Sequence, residues 1–144
     1  MDKLALNKPA QLMVQLKGMN TPAKCAFSQT PALAIVKKEK GEKSVLTIIQ
    51  ILISDCNDFL NVARKMSAEQ ISQTANMILS DFYYMNIADI NLVFTRAKKG
   101  YYGELYQSLD GMKIYQWFEK YSNERAQTIY DDRLKDHDII KSKE

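Results

Sequence analysis

The sequence predicts an all-α protein, a small helical bundle of about four main helices behind a loosely structured basic N-terminal arm. Three observations carry that prediction. Stretches 42–99 and 112–144 contain neither glycine nor proline, so nothing in them breaks a helix. Within them, apolar residues recur every three or four positions, the period of one helix face. Residues that cap helices (Ser67, Asn86 and Asp110) stand just ahead of the periodic runs.

A chain of 144 residues suits one domain with a real core. Its apolar content of 46% and charged content of 26% are ordinary for a globular protein. The net charge of +3 is unevenly spread. Residues 1–43 hold eight lysines against three acids, a net of +5, and the remainder carries twelve basic against fourteen acidic residues, a net of −2. Basic arms of this kind contact nucleic acid or anionic surfaces, although a moderately basic arm is more often simply solvated. The two cysteines, Cys25 and Cys56, form no CxxC and have no neighbouring histidine, so neither a disulfide framework nor a zinc site is indicated. No signal peptide is visible, and the apolar run 45–53 is too short to span a bilayer. The expected setting is the cytoplasm, with no membrane partner.

Taken in order, the arm 1–42 holds all three prolines. Short helices are expected at 10–17 and 32–40, opened by Pro9 and Pro31, with a linker at 20–30. Segment 43–65 begins with a β-branched run that reads as strand or helix. Helix is favoured, because Val45, Ile49, Leu52, Cys56, Phe59/Leu60 and Ala63 keep the helical spacing through Asp55 and Asn57. Ser44 is the expected N-cap of this helix. Ser67-Ala68-Glu69-Gln70 is a capping box, followed by a face of Ile71, Thr74/Ala75, Ile78/Leu79 and Phe82. A break at 84–86 precedes a helix over 88–99, capped by Asn86 or Asp89, with Ile90, Val93/Phe94 and Ala97 on one face. Gly100 follows its basic last turn as a C-terminal stop. The last helix starts at Asp110 with the stripe Ile114, Trp117/Phe118 and Tyr121, extended by Arg125, Ile129 and Tyr130. The helical domain spans 43–135, and the charged tail 136–144 is expected to fray.

The catalytic inventory is thin. His137 is the single histidine and lies in the tail, and neither a P-loop nor a dinucleotide fingerprint occurs. The acidic pairs Asp131/Asp132 and Asp136/Asp138 lack the spacing of a calcium loop. The expectation is a protein without enzymatic activity, cofactor or metal.

Function is expected instead at the joint 96–111, which holds three of the five glycines together with three tyrosines. Gly100-Tyr101-Tyr102-Gly103 is a GxxG turn directly after a basic helix end. Arg96, Lys98, Lys99, Gly100, Tyr101, Tyr102, Gly103 and Tyr106 are the candidate nucleic-acid contacts. Glycines admit a phosphate to backbone amides, and tyrosine faces stack unpaired bases. KH domains clamp a nucleic-acid backbone with such a loop, but the strands that complete that fold are not evident. The competing reading is structural and is favoured: the glycines bound two helices, and the tyrosines bury their rings against Trp117 and Phe118. A second constellation, Trp117, Tyr121 and Arg125, lies on one helix face. Trp117 reads as core, and Tyr121 and Arg125 are the candidate partner-binding residues.

The stretch from Ser67-Ala68-Glu69-Gln70 through Lys98-Lys99-Gly100-Tyr101-Tyr102-Gly103, Tyr106 and Asp110-Gly111 to Trp117-Phe118-Glu119-Lys120-Tyr121 and Glu124-Arg125 resembles small helical proteins of Bacteroides-type bacteria, their prophages and their conjugative elements. Those proteins show a K-x-G-x-Y-G-x-x-Y-x-x-x-D-G pattern before an aromatic-rich helix. The resemblance implies accessory work in replication or maintenance of a phage or mobile element, and transfers no activity. The expected function is therefore a non-enzymatic accessory protein that touches single- or double-stranded DNA or RNA. The alternative is a protein-interaction adaptor or regulator, resembling a helicase loader or forming a homo-oligomer, without direct nucleic-acid contact.

Overall fold

The computed structural model describes residues 9–105 and 107–143. They form seven helices, α1 (Pro9–Lys17), α2 (Pro22–Ala26), α3 (Leu33–Lys40), α4 (Glu42–Phe59), α5 (Ala68–Asp81), α6 (Ile87–Lys98) and α7 (Gly111–Lys143). Among the described residues there is no strand, only two isolated bridges, Ala32 with Asn86 and Arg64 with Ser108. None of the described helices is long and apolar enough to cross a membrane.

Local chemistry sets most helix starts. Ser67 Oγ accepts from Gln70 N at 3.2 Å, and Gln70 Oε1 accepts from Ser67 N at 2.8 Å, closing the capping box of α5. Asn86 and Asp89 form a second box at α6, with both bonds at 2.9 Å. Asp110 Oδ1 accepts from Lys113 N at 2.9 Å and so caps α7. α3 has no side-chain cap. Its orphan amides go elsewhere: Leu33 N donates to Met85 O at 2.8 Å and Ala34 N to Tyr83 O at 3.1 Å.

α6 lies at the centre. Ile87, Ala88, Asp89, Ile90, Leu92, Val93, Phe94 and Ala97 are all buried, so this helix is covered on several sides rather than on the single face expected. α2, α4 and α7 pack against it, and α5 sits between α4 and α7. Phe118 of α7 joins the layers, with its ring 5.4 Å from that of Phe82 and 5.6 Å from that of Phe94.

In the arm and in α4 the structure corrects the sequence expectation three times. The first is the loose arm. Leu12, Leu16, Cys25, Leu33 and Val36 belong to the same buried cluster as the long helices. The expected linker contains α2, which Pro22 and the Thr21 hydroxyl start. Burying a leucine contributes about 1.5–3 kcal/mol, so Leu12 and Leu16 of α1 and Leu33 of α3 offset the weak intrinsic stability of those short helices. Secondly, α4 is a helix throughout its β-branched run, but it begins after Gly41 rather than at Ser44. Thirdly, α4 stops at Phe59, because Leu60 turns extended with ψ 132°. Phe59 is therefore 61% exposed and Ala63 is exposed, so the helical spacing drawn through them has no counterpart.

The four buried residues Ile114, Trp117, Phe118 and Tyr121 hold the first part of α7 to the body. At 1.5 Å per residue its 33 residues extend about 50 Å. From Asp131 to Asp138 every residue is exposed, and the helix runs past 135 without a break.

Candidate functional site

The joint begins where α6 ends. Tyr101 N donates to Arg96 O at 3.0 Å, and Gly100 N donates to Ala97 O at 3.1 Å. These are the two bonds of a Schellman motif, and they require a left-handed residue at position 100, where Gly100 has φ +78°. Gly103, with φ +103°, turns the chain again by donating to Gly100 O at 3.0 Å. The far end is tied to the loop after α4, since Arg64 N donates to Gln107 O at 2.9 Å and Leu109 N to Arg64 O at 3.1 Å. A hollow of about 220 Å³ lies between that loop and the joint, lined by Asn61, Lys98, Gly100 and Gly103 among others.

Most of the joint's polar and aromatic groups are engaged within the fold. Arg96 grips Glu124 with both terminal nitrogens, at 2.7 and 3.4 Å. Its guanidinium lies 4.4 Å from the Tyr101 ring and 5.7 Å from the Tyr121 ring. Lys98 pairs with Asp55, and its ammonium sits 5.3 Å from the Phe59 ring. Tyr102 stacks on Trp117, with centroids 6.0 Å apart and planes at 15°. Its Oη is buried and makes no hydrogen bond among the described residues. Burial pushes the Tyr102 phenol up to about 12, with Arg96 pulling the other way. Arg96, Lys98 and Tyr102 are thus occupied within the molecule. Lys99 is exposed and Tyr101 is 58% exposed. Tyr106 lies outside the described residues.

Tyr121, expected on a partner-binding face, is a correction: it is 0% exposed and buried between α6 and α7. Its hydroxyl donates to Asp89 Oδ1 at 2.6 Å. Asp89 is itself fully buried, and its Oδ2 also accepts from Arg125 Nε at 3.1 Å and from Asn86 N at 2.9 Å. Asn86 Nδ2 donates to Cys25 O at 2.9 Å, which brings α2 into the same network. A buried carboxylate is tolerated only when paired and saturated with donors, and Asp89 is both. Burial, followed by the Asp89 charge, raises the Tyr121 phenol far above its ordinary value. The network joins α2, α6 and α7 around a fully buried carboxylate.

Arg125 leads out of this junction to the surface. With 13% of its side chain exposed, it lines a groove of about 450 Å³ along α7, together with Tyr84, Ala126, Ile129, Tyr130 and Arg133. Tyr84 shares a hydrogen bond with Ser122 across the groove's inner end. Ile129 and Tyr130 were legible as an extension of the stripe. Arg133 continues the same spacing and could have been found that way, whereas Tyr84 comes from the α5–α6 loop and left no signal. Among the described residues no cluster of three or more His, Cys, Asp or Glu is placed to hold a metal ion.

Compared with known protein families, curated proteins and solved structures, the chain matches none.

Proposed function

We propose that this protein is a non-catalytic interaction module whose docking element is the outer half of α7. One observation carries the reading. Beyond Arg125, α7 continues as a helix with Tyr130 58% and Leu134 43% exposed, and every residue from Asp131 to Asp138 is open to solvent. A lone helix of this length has little stability of its own in water, and an exposed Tyr/Leu stripe gains most by packing on a partner. Photo-crosslinking residues placed at Tyr130 and Leu134 should yield discrete adducts in cells, and one at Lys120 should not. Uniform failure at Tyr130 and Leu134 would overturn the reading.

The second reading, contact with nucleic acid, draws on Lys99 and Tyr101. They remain exposed beside the GxxG turn, and the basic residues Lys37, Lys38, Lys40 and Lys43 are exposed around the α3–α4 corner. It would fit an accessory role in replication of a mobile element. Fluorescence anisotropy with short single- and double-stranded DNA and RNA at two salt concentrations tests it. Binding that weakens steeply with salt and is lost in Lys99→Glu is the expected result. Equal binding by that variant would exclude the joint.

A further inference from the structure

We infer that the groove between Tyr84 and the Arg125–Arg133 face of α7 is a binding site for an acidic, apolar-anchored segment of another protein. The inference rests on the proposed interaction role of α7 and names the chemistry of what it receives.

Arg125 uses Nε on Asp89, and its two terminal nitrogens make no hydrogen bond among the described residues. They are not sealed from solvent either, since Tyr102 Oη is the sole buried polar side-chain atom without a partner among the described residues. The guanidinium is thus anchored through Nε on Asp89 in a residue that lines the groove, with its terminal nitrogens reached by solvent. A fork of this kind matches a carboxylate at two points, and the fixed Nε bond removes much of the entropy cost of making them.

Arg133 supplies a second cation eight residues further along the helix, about 12 Å away at 1.5 Å per residue. It makes no ion pair among the described residues. Among the described residues no carboxylate lines the groove. Between the two arginines lie Ala126, Ile129 and Tyr130, with Tyr84 opposite. Two cations about two helical turns apart, with aromatic and aliphatic surface between them, complement a segment with two similarly spaced acids and an apolar side chain between. Tyrosine and arginine also dominate the energetics of protein interfaces.

The neighbouring charge favours a protein over a nucleic acid. Within the groove's span and beyond it α7 carries the exposed carboxylates Asp131, Asp132, Asp136 and Asp138 against Arg133 and Lys135. A continuous polyphosphate running along the helix would set a charge against every one of those carboxylates, whereas a segment with only two acids can set both against the arginines.

Selection from a displayed library of random 16-residue peptides on the intact protein tests this directly. The expected outcome is enrichment of sequences with two acidic residues spaced to span about 12 Å, seven or eight positions in a helical peptide or about four in an extended one, and an aromatic or aliphatic residue between them. Synthetic peptides of the enriched sequence should bind wild type and lose about tenfold in affinity to Arg133→Ala, the loss typical of one charge-assisted hydrogen bond. Circular dichroism should show Arg133→Ala as helical as wild type, since its side chain is exposed. Enriched peptides that are basic or purely apolar, yet lose binding to Tyr130→Ala, would overturn the acidic partner and leave the interaction role of α7 standing. No enrichment would overturn the acidic partner, while adducts at Tyr130 and Leu134 would still report separately on α7. A concentration-dependent dimer in sedimentation that Tyr130→Ala dissociates would replace the acidic partner with a second copy of this chain. Displacement of the peptides by short DNA at physiological salt, lost in Arg133→Ala, would replace it with nucleic acid.

Discussion

Tyr121 Oη donates to Asp89 Oδ1 at 2.6 Å, joining two fully buried residues 32 positions apart on α7 and α6. Arg125 and Asn86 complete the carboxylate's partners. The network fixes how the helix that carries the groove leaves the body, so the stability of the junction and the placement of Arg125 are linked.

Tyr121→Phe keeps the ring and removes one bond to a charged acceptor. It should lower stability by about 1.5–3 kcal/mol. Asp89→Asn also leaves the Arg125 guanidinium without its counter-charge and should cost more, about 3–5 kcal/mol. Urea midpoints of both variants check the order; equal losses would mean that the charge contributes little.

Asn57 stands in for a missing backbone partner. Its side chain donates to Met66 O at 3.1 Å and accepts from Met66 N at 2.9 Å while only 5% exposed. Asn57→Ala leaves two backbone groups without a partner and should cost about 2–4 kcal/mol. Hydrogen exchange should speed up at Met66 before it does in α6. Unchanged protection at Met66 would count against the bracket.

Gly111 is required by packing. A Cβ there would stand 2.6 Å from Thr74 Oγ1, a side chain already donating to Gln70 O at 2.8 Å and 2% exposed. Gly111→Ala should therefore destabilise by about 1–3 kcal/mol, against the usual small gain from replacing glycine. Adding Thr74→Ala should recover part of the loss. Gly18→Ala, with nothing within 4 Å, is the matched control and should show none.

Alkaline pH should unfold the protein through groups that burial keeps protonated. Burial raises both the Cys25 and Cys56 thiols from 9.0 to about 11, and it raises Tyr102 from 10.0 to about 12. The folded state holds protons that the unfolded chain releases. Stability from the cysteines is complete below about pH 9, and their loss levels off above about pH 11. Thermal melts at pH 8, 9 and 10 should show a falling midpoint with a shallower slope in Cys56→Ala. At pH 8 a thiol reagent should label neither cysteine until denaturant is added, because both are buried.

Local features were the legible ones. The Ser67–Gln70 box, the capping role of Asn86, the Gly100 stop and the faces of α5 and α7 each depend on residues within about four positions of one another, so spacing reveals them; that Asn86 and Asp89 act together as a box was not read. Phe59 and Ala63 were misread because a helical period says nothing about where the chain turns extended. At the joint the favoured structural reading holds for Gly100, which ends α6, and for Tyr102, which stacks on Trp117, while the basic candidates were read without their partners. Those partners, Glu124 for Arg96 and Asp55 for Lys98, lie 28 and 43 positions away.

By itself the sequence determined that the chain is helical, where most helices start and which faces are apolar, because those properties follow from nearest neighbours along one helix. The tertiary structure alone decided that Leu12, Leu16, Cys25, Leu33 and Val36 join the core and that Tyr121 serves Asp89. It also decided that Arg125 and Arg133 border a groove with Tyr84. Those outcomes turn on which faces meet, and a surface is buried or exposed only once its distant partner has arrived.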